Sequence, residues 1–201
     1  MNLSASQPLR PAHRPSRRAE IIAAAIAELG SAESPETVSV AQIVARTGMG
    51  VSAFYYHFAS IDEVLEVVVD ELFAGVAGRF AVGPGEDGPE AWAAGAMGRQ
   101  VRWIGEHRAE ARLLVAFANG SIAVPTVLSR LTRAAVSIGG SLVAVSPSVP
   151  VLEVEVVSRA LVSLVTELAD AAGDPSTGLD SLTTAAEVIA LRLVTDRGAA
   201  L

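Results

Sequence analysis

The sequence contains no cysteine and no lysine, and aromatic residues make up only 4% of it. Without cysteine there is no disulfide framework, no thiolate nucleophile and no zinc–thiolate centre, a composition that fits a reducing compartment such as the cytosol. All of the positive charge rests on 15 arginines, a bias that GC-rich coding accounts for and that implies no mechanism. An apolar run of membrane-spanning length is also missing. The longest uncharged stretch, between Arg133 and Glu153, is broken by Gly139, Gly140, Pro147 and Pro150. A span needs ~20 consecutive apolar residues, so this stretch reads as the end of one buried helix, a turn and the start of another. The segment Met1 to Arg18 has no apolar run of signal-peptide length and is expected to be a solvated tail.

What is present is a core-forming chain: 201 residues, 51% hydrophobic and 18% charged, enough for one or two domains and incompatible with disorder as the main state. The net charge of -7 argues, over the whole chain, against a nucleic-acid partner. Its distribution changes that inference. Up to Ser60 there are five arginines and four acids, a balance of +1; beyond it, ten arginines face eighteen acids, a balance of -8. Four of the five N-terminal arginines lie in the first eighteen residues, which hold no acid. The acidity therefore belongs to the second part of the chain.

Apolar residues recur at helical spacing nearly throughout and no stretch alternates like a strand, so the fold class is all-α with about nine helices. A first helix from about Ser16 carries Ile22, Ala25, Ile26 and Leu29 on one face, with Gly30 as its expected C-cap. Ser39 and Gln42 have capping-box spacing and open a short helix through Arg46, which Gly48 ends. A second short helix occupies roughly Val51 to His57. Ser60 and Glu63 form another capping-box pair, starting a long helix expected to run to about Val82. Its acids Glu63, Glu66, Asp70 and Glu71 read as a solvated face. Gly83 to Pro89 is the clearest linker. Larger helices follow at about Pro89 to Glu106, Arg108 to Ala118, Val124 to Ala144, Pro150 to Ala172 and Ser181 to Arg197.

Two short helices joined at a glycine, after one helix and before a long one, make a helix-turn-helix candidate. Ile43, Val44, Met49, Phe54 and Phe58 would form its small core. The opposite side of the second short helix would present Val51, Ser52, Ala53, Tyr55, Tyr56 and His57. Hydroxyls and an imidazole can bond phosphates or base edges, and small apolar side chains can touch a thymine methyl. For Tyr56, packing within the small domain is the competing role. Arg10, Arg14, Arg17 and Arg18 read either as a DNA-binding arm or as a solvated tail, with Arg17 and Arg18 placed best for phosphate.

The run Thr47-Gly48-Met49-Gly50-Val51-Ser52-Ala53-Phe54-Tyr55-Tyr56-His57-Phe58, followed by Ser60 and Asp62-Glu63, resembles the DNA-binding domain of the TetR family of one-component bacterial transcription regulators. The local similarity covers about residues 17 to 73. The resemblance implies a tail at 1-16, a three-helix helix-turn-helix domain at 17-62, and an effector-binding and dimerisation domain at 63-201, joined by the helix 60-82. It places Tyr55 and His57 at phosphate-contacting positions and Val51, Ser52 and Ala53 at base-reading positions. Ser39, Val40 and Ala41 fall at the start of the supporting helix, another contact region. Gly50 stands where that family commonly has a capping Ser or Thr, Val51 where it has a polar or basic residue, and Ile61 where it has a phosphate-binding Lys. Losing one such cation lowers the salt slope of binding by ~0.9.

In the second part, Trp92 and Trp103 lie within about 20° on one helical face with Ala96 and Arg99 between them. That face would line a pocket, Arg99 serving an anionic group, or else pack between helices; Phe117 and Asn119 are further pocket candidates. The helix Pro150 to Ala172 is apolar almost all round. It would pack inward on its own domain and outward on a second copy, together with Ala185, Ala186, Ile189, Ala190 and Leu193 of the last helix, or else form the centre of a monomer's core. His13, His57 and His107 have no metal-ligand spacing, so no metal and no cofactor are expected. No acid–base pair suggests catalysis. The expectation is a homodimeric, ligand-responsive regulator, more a repressor than an activator, with a double-stranded DNA operator and a largely apolar small-molecule effector. The alternative is the same helical module binding a small molecule or protein without sequence-specific DNA recognition.

Overall fold

The computed structural model describes residues 16–195; Arg10, His13, Arg14 and Arg197 lie outside them. Among the described residues the chain is all-helical, with nine α-helices, one short 3-10 turn at Pro35–Thr37 and no strand.

Helix α1, Arg17–Ser31, starts at Ser16, whose hydroxyl accepts the Ala19 N–H at 3.2 Å. Gly30 does not cap it. It lies inside the helix and is buried because α1 crosses the later helix that begins at Arg108; a Cβ at this position would stand 2.7 Å from both the Cβ and the carbonyl oxygen of Ala109. The glycine is required by a close helix crossing, which sequence spacing does not distinguish from a helix end. Helix α2, Val40–Thr47, begins with the reciprocal Ser39–Gln42 capping box. It ends at Gly48, whose φ of 67° is left-handed and comfortable only without a side chain. Helix α3 follows at Val51–His57.

Helix α4, Ile61–Gly78, is capped by Ser60, which accepts the Glu63 N–H at 3.3 Å. The returning arm differs from a full capping box, since the Glu63 carboxylate takes the Ala59 N–H at 2.7 Å instead of that of Ser60. The helix also stops four residues short of Val82. Gly75 and Gly78 weaken its last turn, and the chain tightens through Phe80 N–H to Ala77 C=O and Ala81 N–H to Gly78 C=O. This turn drops Phe80 into the core against Trp92, ring centroids 5.9 Å apart.

Beyond the 83–89 segment come α5 Pro89–Glu106, α6 Arg108–Ala118, α7 Val127–Val145, α8 Val151–Ala171 and α9 Leu179–Thr195. Helix α7 starts three residues later than its apolar pattern suggests because Val124 precedes Pro125, which steers it away from helical backbone angles. The most extensive pairings are α5 with α9 and α7 with α8; α1 lies on α6 and α4 on α7, which fastens the first three helices to the rest. One hydrophobic core runs from Ile21 to Val194. Helix α8 buries Val157, Leu161, Val165 and Leu168 and exposes Leu152 and Val156, as its all-round apolar surface requires. On α9, Ala186 and Ala190 are fully buried within the chain's own core. Val188, Ile189 and Leu191 carry the outward apolar surface instead. No helix among the described residues is long and apolar enough to cross a membrane.

Candidate nucleic-acid interface

Helix α3 is only two turns long and owes its position to Phe54 and Phe58. Both are buried, with centroids 5.8 Å apart, in the same core as Ile21, Ile43 and Val44. Burying that side leaves the other in solvent. Val51 and Ser52 are exposed, Ala53 and His57 half-buried, and Tyr55 and Tyr56 stand out at 56% and 84% exposure. A tyrosine that open has no packing role, which decides against placing Tyr56 in the core. Its ring instead meets His57 edge-on at 5.0 Å. Gly50 precedes α3 and gives no side-chain cap. Ser39 and Ala41 at the start of α2 are exposed and Val40 is half-buried; the Ser39 hydroxyl is engaged with Gln42 at 2.7 Å.

Among the described residues, Arg17, Arg18 and Arg46 beside this surface are compensated, a feature with little signal in local sequence because two of the three partners are distant. Arg17 pairs with Glu20 at 2.9 Å, and Arg46 of α2 pairs with Glu28 of α1. Arg18 lies 3.9 Å over the Phe58 ring, donates from Nη1 to the His57 carbonyl at 2.7 Å and approaches Glu63 at 3.5 Å. It thereby clamps the end of α3 to α1.

From this surface α4 leads into the second half of the molecule. Its acids are not merely solvated: Thr126 donates to Glu66, and Asp70 holds Arg130 Nε at 2.8 Å and Arg133 Nη1 at 3.0 Å. These contacts bridge α4 to α7 across some sixty residues of sequence.

At the start of α5, Trp92 and Ala96 are fully buried, and the indole N–H of Trp92 donates to the Phe80 carbonyl at 2.7 Å. Arg99 closes the end of α4, donating to the carbonyls of Arg79 at 2.8 Å and Ala81 at 3.0 Å and pairing with Glu86. Hydrogen bonding from Arg99 holds the Glu86 carboxyl below the usual range, against the opposing effect of burial and helped by the Gly83 N–H. Trp103 is half-buried between the Arg79 guanidinium, 4.0 Å from its ring, and a stacked His107. The fully buried Gln100 joins this cluster, giving its amide N–H to Val76 C=O and accepting from Arg79 Nε. Burial lowers the Arg79 pKa to about 10, so it remains charged at neutral pH. Sequence reasoning passed over Gln100 and Arg79, whose partnership depends on how α4 ends.

Trp92, Ala96, Arg99 and Trp103 thus form a packed joint, and none of them lines the three concavities that follow. A groove of about 590 Å³ between α7 and α8 is lined by Val136, Val143, Val151 and the Glu155–Arg159 pair. One of about 580 Å³ past the end of α6 includes the buried Phe117 and the exposed Asn119. One of about 320 Å³ lies between α4 and α7.

A two-helix reader with an exposed second helix, set on a larger all-helical body, defines the class of helix-turn-helix DNA-binding proteins. Residues 21–68 match the sequence model of bacterial regulatory proteins, tetR family, so the chain carries a TetR-family N-terminal domain, and its solved structural relatives have the same overall fold. A tetR-family transcriptional regulator from Streptomyces coelicolor aligns with a TM-score of 0.71 at 21% identity, over 88% of this chain and 79% of that one. A transcriptional regulator from Rhodococcus sp. Rha1 gives 0.70 at 24%, over 90% and 97%. The multidrug binding protein EbrR, in complex with imidazole, gives 0.61 at 24%, over 90% and 96%. No curated protein matches the chain in sequence.

Proposed function

We propose that the protein is a ligand-responsive transcriptional repressor that binds a near-palindromic operator as a homodimer and works in the cytoplasm. The observation that carries this reading is the face of α3. Phe54 and Phe58 hold the helix from behind while Val51, Ser52, Tyr55 and Tyr56 are left exposed, in a segment that matches the tetR-family model. Val51, Ser52 and Ala53 read bases. Tyr55, His57, Arg17 and the start of α2 at Ser39, Val40 and Ala41 touch the backbone. Two copies joined through α8 and α9, by surfaces that include Leu152, Val156, Val188 and Ile189, set their α3 helices roughly 34–36 Å apart in successive major grooves. An effector acts by preferring a different separation of the readers, and α4 transmits it because it belongs to both halves. EbrR, which shares the fold, is by name a binder of drugs. Chemistry at a catalytic centre is not part of this proposal.

The test is titration of the protein against fragments of its own upstream DNA over a series of salt concentrations. A sequence-preferring complex that weakens steeply with salt is expected; no preference even at low salt overturns the repressor reading. Sedimentation showing a monomer at micromolar concentration would remove the dimer. A second reading, a helical binding module without operator recognition, is favoured by the compensated arginines of the reader and by Gly50, Val51 and Ile61.

A further inference from the structure

The seam between α4 and α7 has two chemically different ends. At one, Glu66 accepts from Thr126 and stands 4.0 Å from Arg130 Nη2. At the other, the single carboxylate of Asp70 serves both Arg130 and Arg133. The 320 Å³ groove opens at that second end, over Phe73, Ala77 and Ala134. Its wall therefore holds two cations and one anion on a mostly apolar bed. The volume lies at the lower end of the range of small-molecule sites.

The ion pairs there are open to exchange. The Arg133 and Asp70 side chains are 64% and 47% exposed, and pairs between groups so solvated hold weakly; Arg130, at 19%, is the fixed member. A carboxylate from solution offers Arg133 the hydrogen bond that Asp70 gives it, and offers Arg130, whose buried Nε is ion-paired with Asp70 but not hydrogen-bonded, a partner free to take better geometry. If it carries an apolar body, burial against Phe73, Ala77 and Ala134 adds a term that Asp70 cannot supply. The charge pattern also selects against other ligands. A cation would meet two guanidinia, and a dianion would sit beside the displaced Asp70 and nearby Glu66.

We propose that the α4–α7 groove is a binding site for a small monocarboxylate with an apolar body, whose carboxylate replaces Asp70 on Arg130 and Arg133. Occupancy breaks the two Asp70 ion pairs between α4 and α7 and leaves the Glu66 contacts as the remaining polar tie of that seam. Only a consequence for DNA rests on the repressor reading; the binding site stands apart from it.

The experiment uses the full chain and hexanoate, with hexanamide and hexylammonium as isosteres, followed by calorimetry or ligand-observed NMR in the absence of DNA. Hexanoate should bind saturably and hexanamide and hexylammonium at least tenfold more weakly. Arg133→Gln, at an exposed position, should weaken hexanoate about tenfold, and Asp70→Asn should tighten it several-fold by removing the internal competitor. A merely structural Asp70 would not give tightening. Equal binding of hexanoate and hexanamide, or unchanged or weaker hexanoate binding in Asp70→Asn with a native melting profile, overturns the proposal. If hexanoate binds as expected yet leaves a demonstrated operator complex undisturbed, the site stands and its role as the effector switch fails.

Discussion

Arg18, in the first turn of α1, lays its guanidinium 3.9 Å from the centroid of Phe58 and donates to the His57 carbonyl at 2.7 Å. One side chain thus closes the end of α3 and shields a core aromatic. We expect Arg18→Ala to lower stability by about 1–2 kcal/mol, the sum of a cation–π contact and a hydrogen bond. Arg18→Lys keeps the charge but loses the planar contact and should recover less than half of that loss. Thermal melts of the three proteins decide. If alanine melts with the parent protein, Arg18 is a surface charge and no clamp.

Gly30 and Gly98 make a matched pair of helical glycines with opposite predicted signs. At Gly30 a methyl group would collide at 2.7 Å with the backbone and Cβ of Ala109; at Gly98 it would meet nothing within 4 Å. Replacing glycine by alanine in a helix gains about 1 kcal/mol in propensity, while forced overpacking costs about 1–3 kcal/mol. Gly98→Ala should therefore raise the melting temperature and Gly30→Ala should lower it. A stabilised Gly30→Ala would mean that α1 and α6 separate more easily than their contact suggests.

These two glycines also show where the sequence was readable. Helix periodicity, capping pairs and the Gly48 turn are local, and they fixed the reader and most helix starts because each is a relation within four or five residues. The role of Gly30 depends on Ala109, that of Asp70 on Arg130, and that of Arg99 on the carbonyls left open where α4 ends early. Such relations have no period. A charge or glycine looks the same in sequence whether it faces water or a helix sixty residues away. The same reason separates the two halves of the candidate site: α3 could be assigned a buried and an open side from Phe54 and Phe58 alone, whereas Trp92 and Arg99 could not be told from pocket residues.

Glu86 should leave a pH signature. Its carboxyl is held below the usual range first by the hydrogen bond from Arg99, so the folded state binds its proton less readily than the unfolded chain does. The stabilisation is then fully present above the ordinary glutamate value of 4.5 and is lost as the pH falls through the lower folded value. Glu86→Gln should melt below the parent protein at neutral pH, with the difference shrinking under acid conditions beneath 4.5. A difference that stays constant with pH would show that the segment 83–89 is held by its backbone bonds and not by this pair.

Ile61 offers the most direct check on the proposed docking of the helix-turn-helix on DNA. It occupies the first position of α4, immediately after the Ser60 cap, and is half-buried against the core. In Ile61→Lys the aliphatic stem can keep part of that contact while the ammonium reaches solvent. A cation at a helix N-terminus opposes the helix dipole, at a cost of about 0.3–1 kcal/mol, so the variant should be slightly less stable. Its DNA binding should nevertheless strengthen at low salt, and the slope of log K against log salt should steepen by ~0.9 for one added phosphate contact. The gain should be the same on specific and random duplexes, since a phosphate contact carries no base preference. Binding measured on both duplexes across the salt series tests this. An unchanged slope would mean that the start of α4 faces away from the phosphates, and the docking of α3 in the major groove would have to be redrawn.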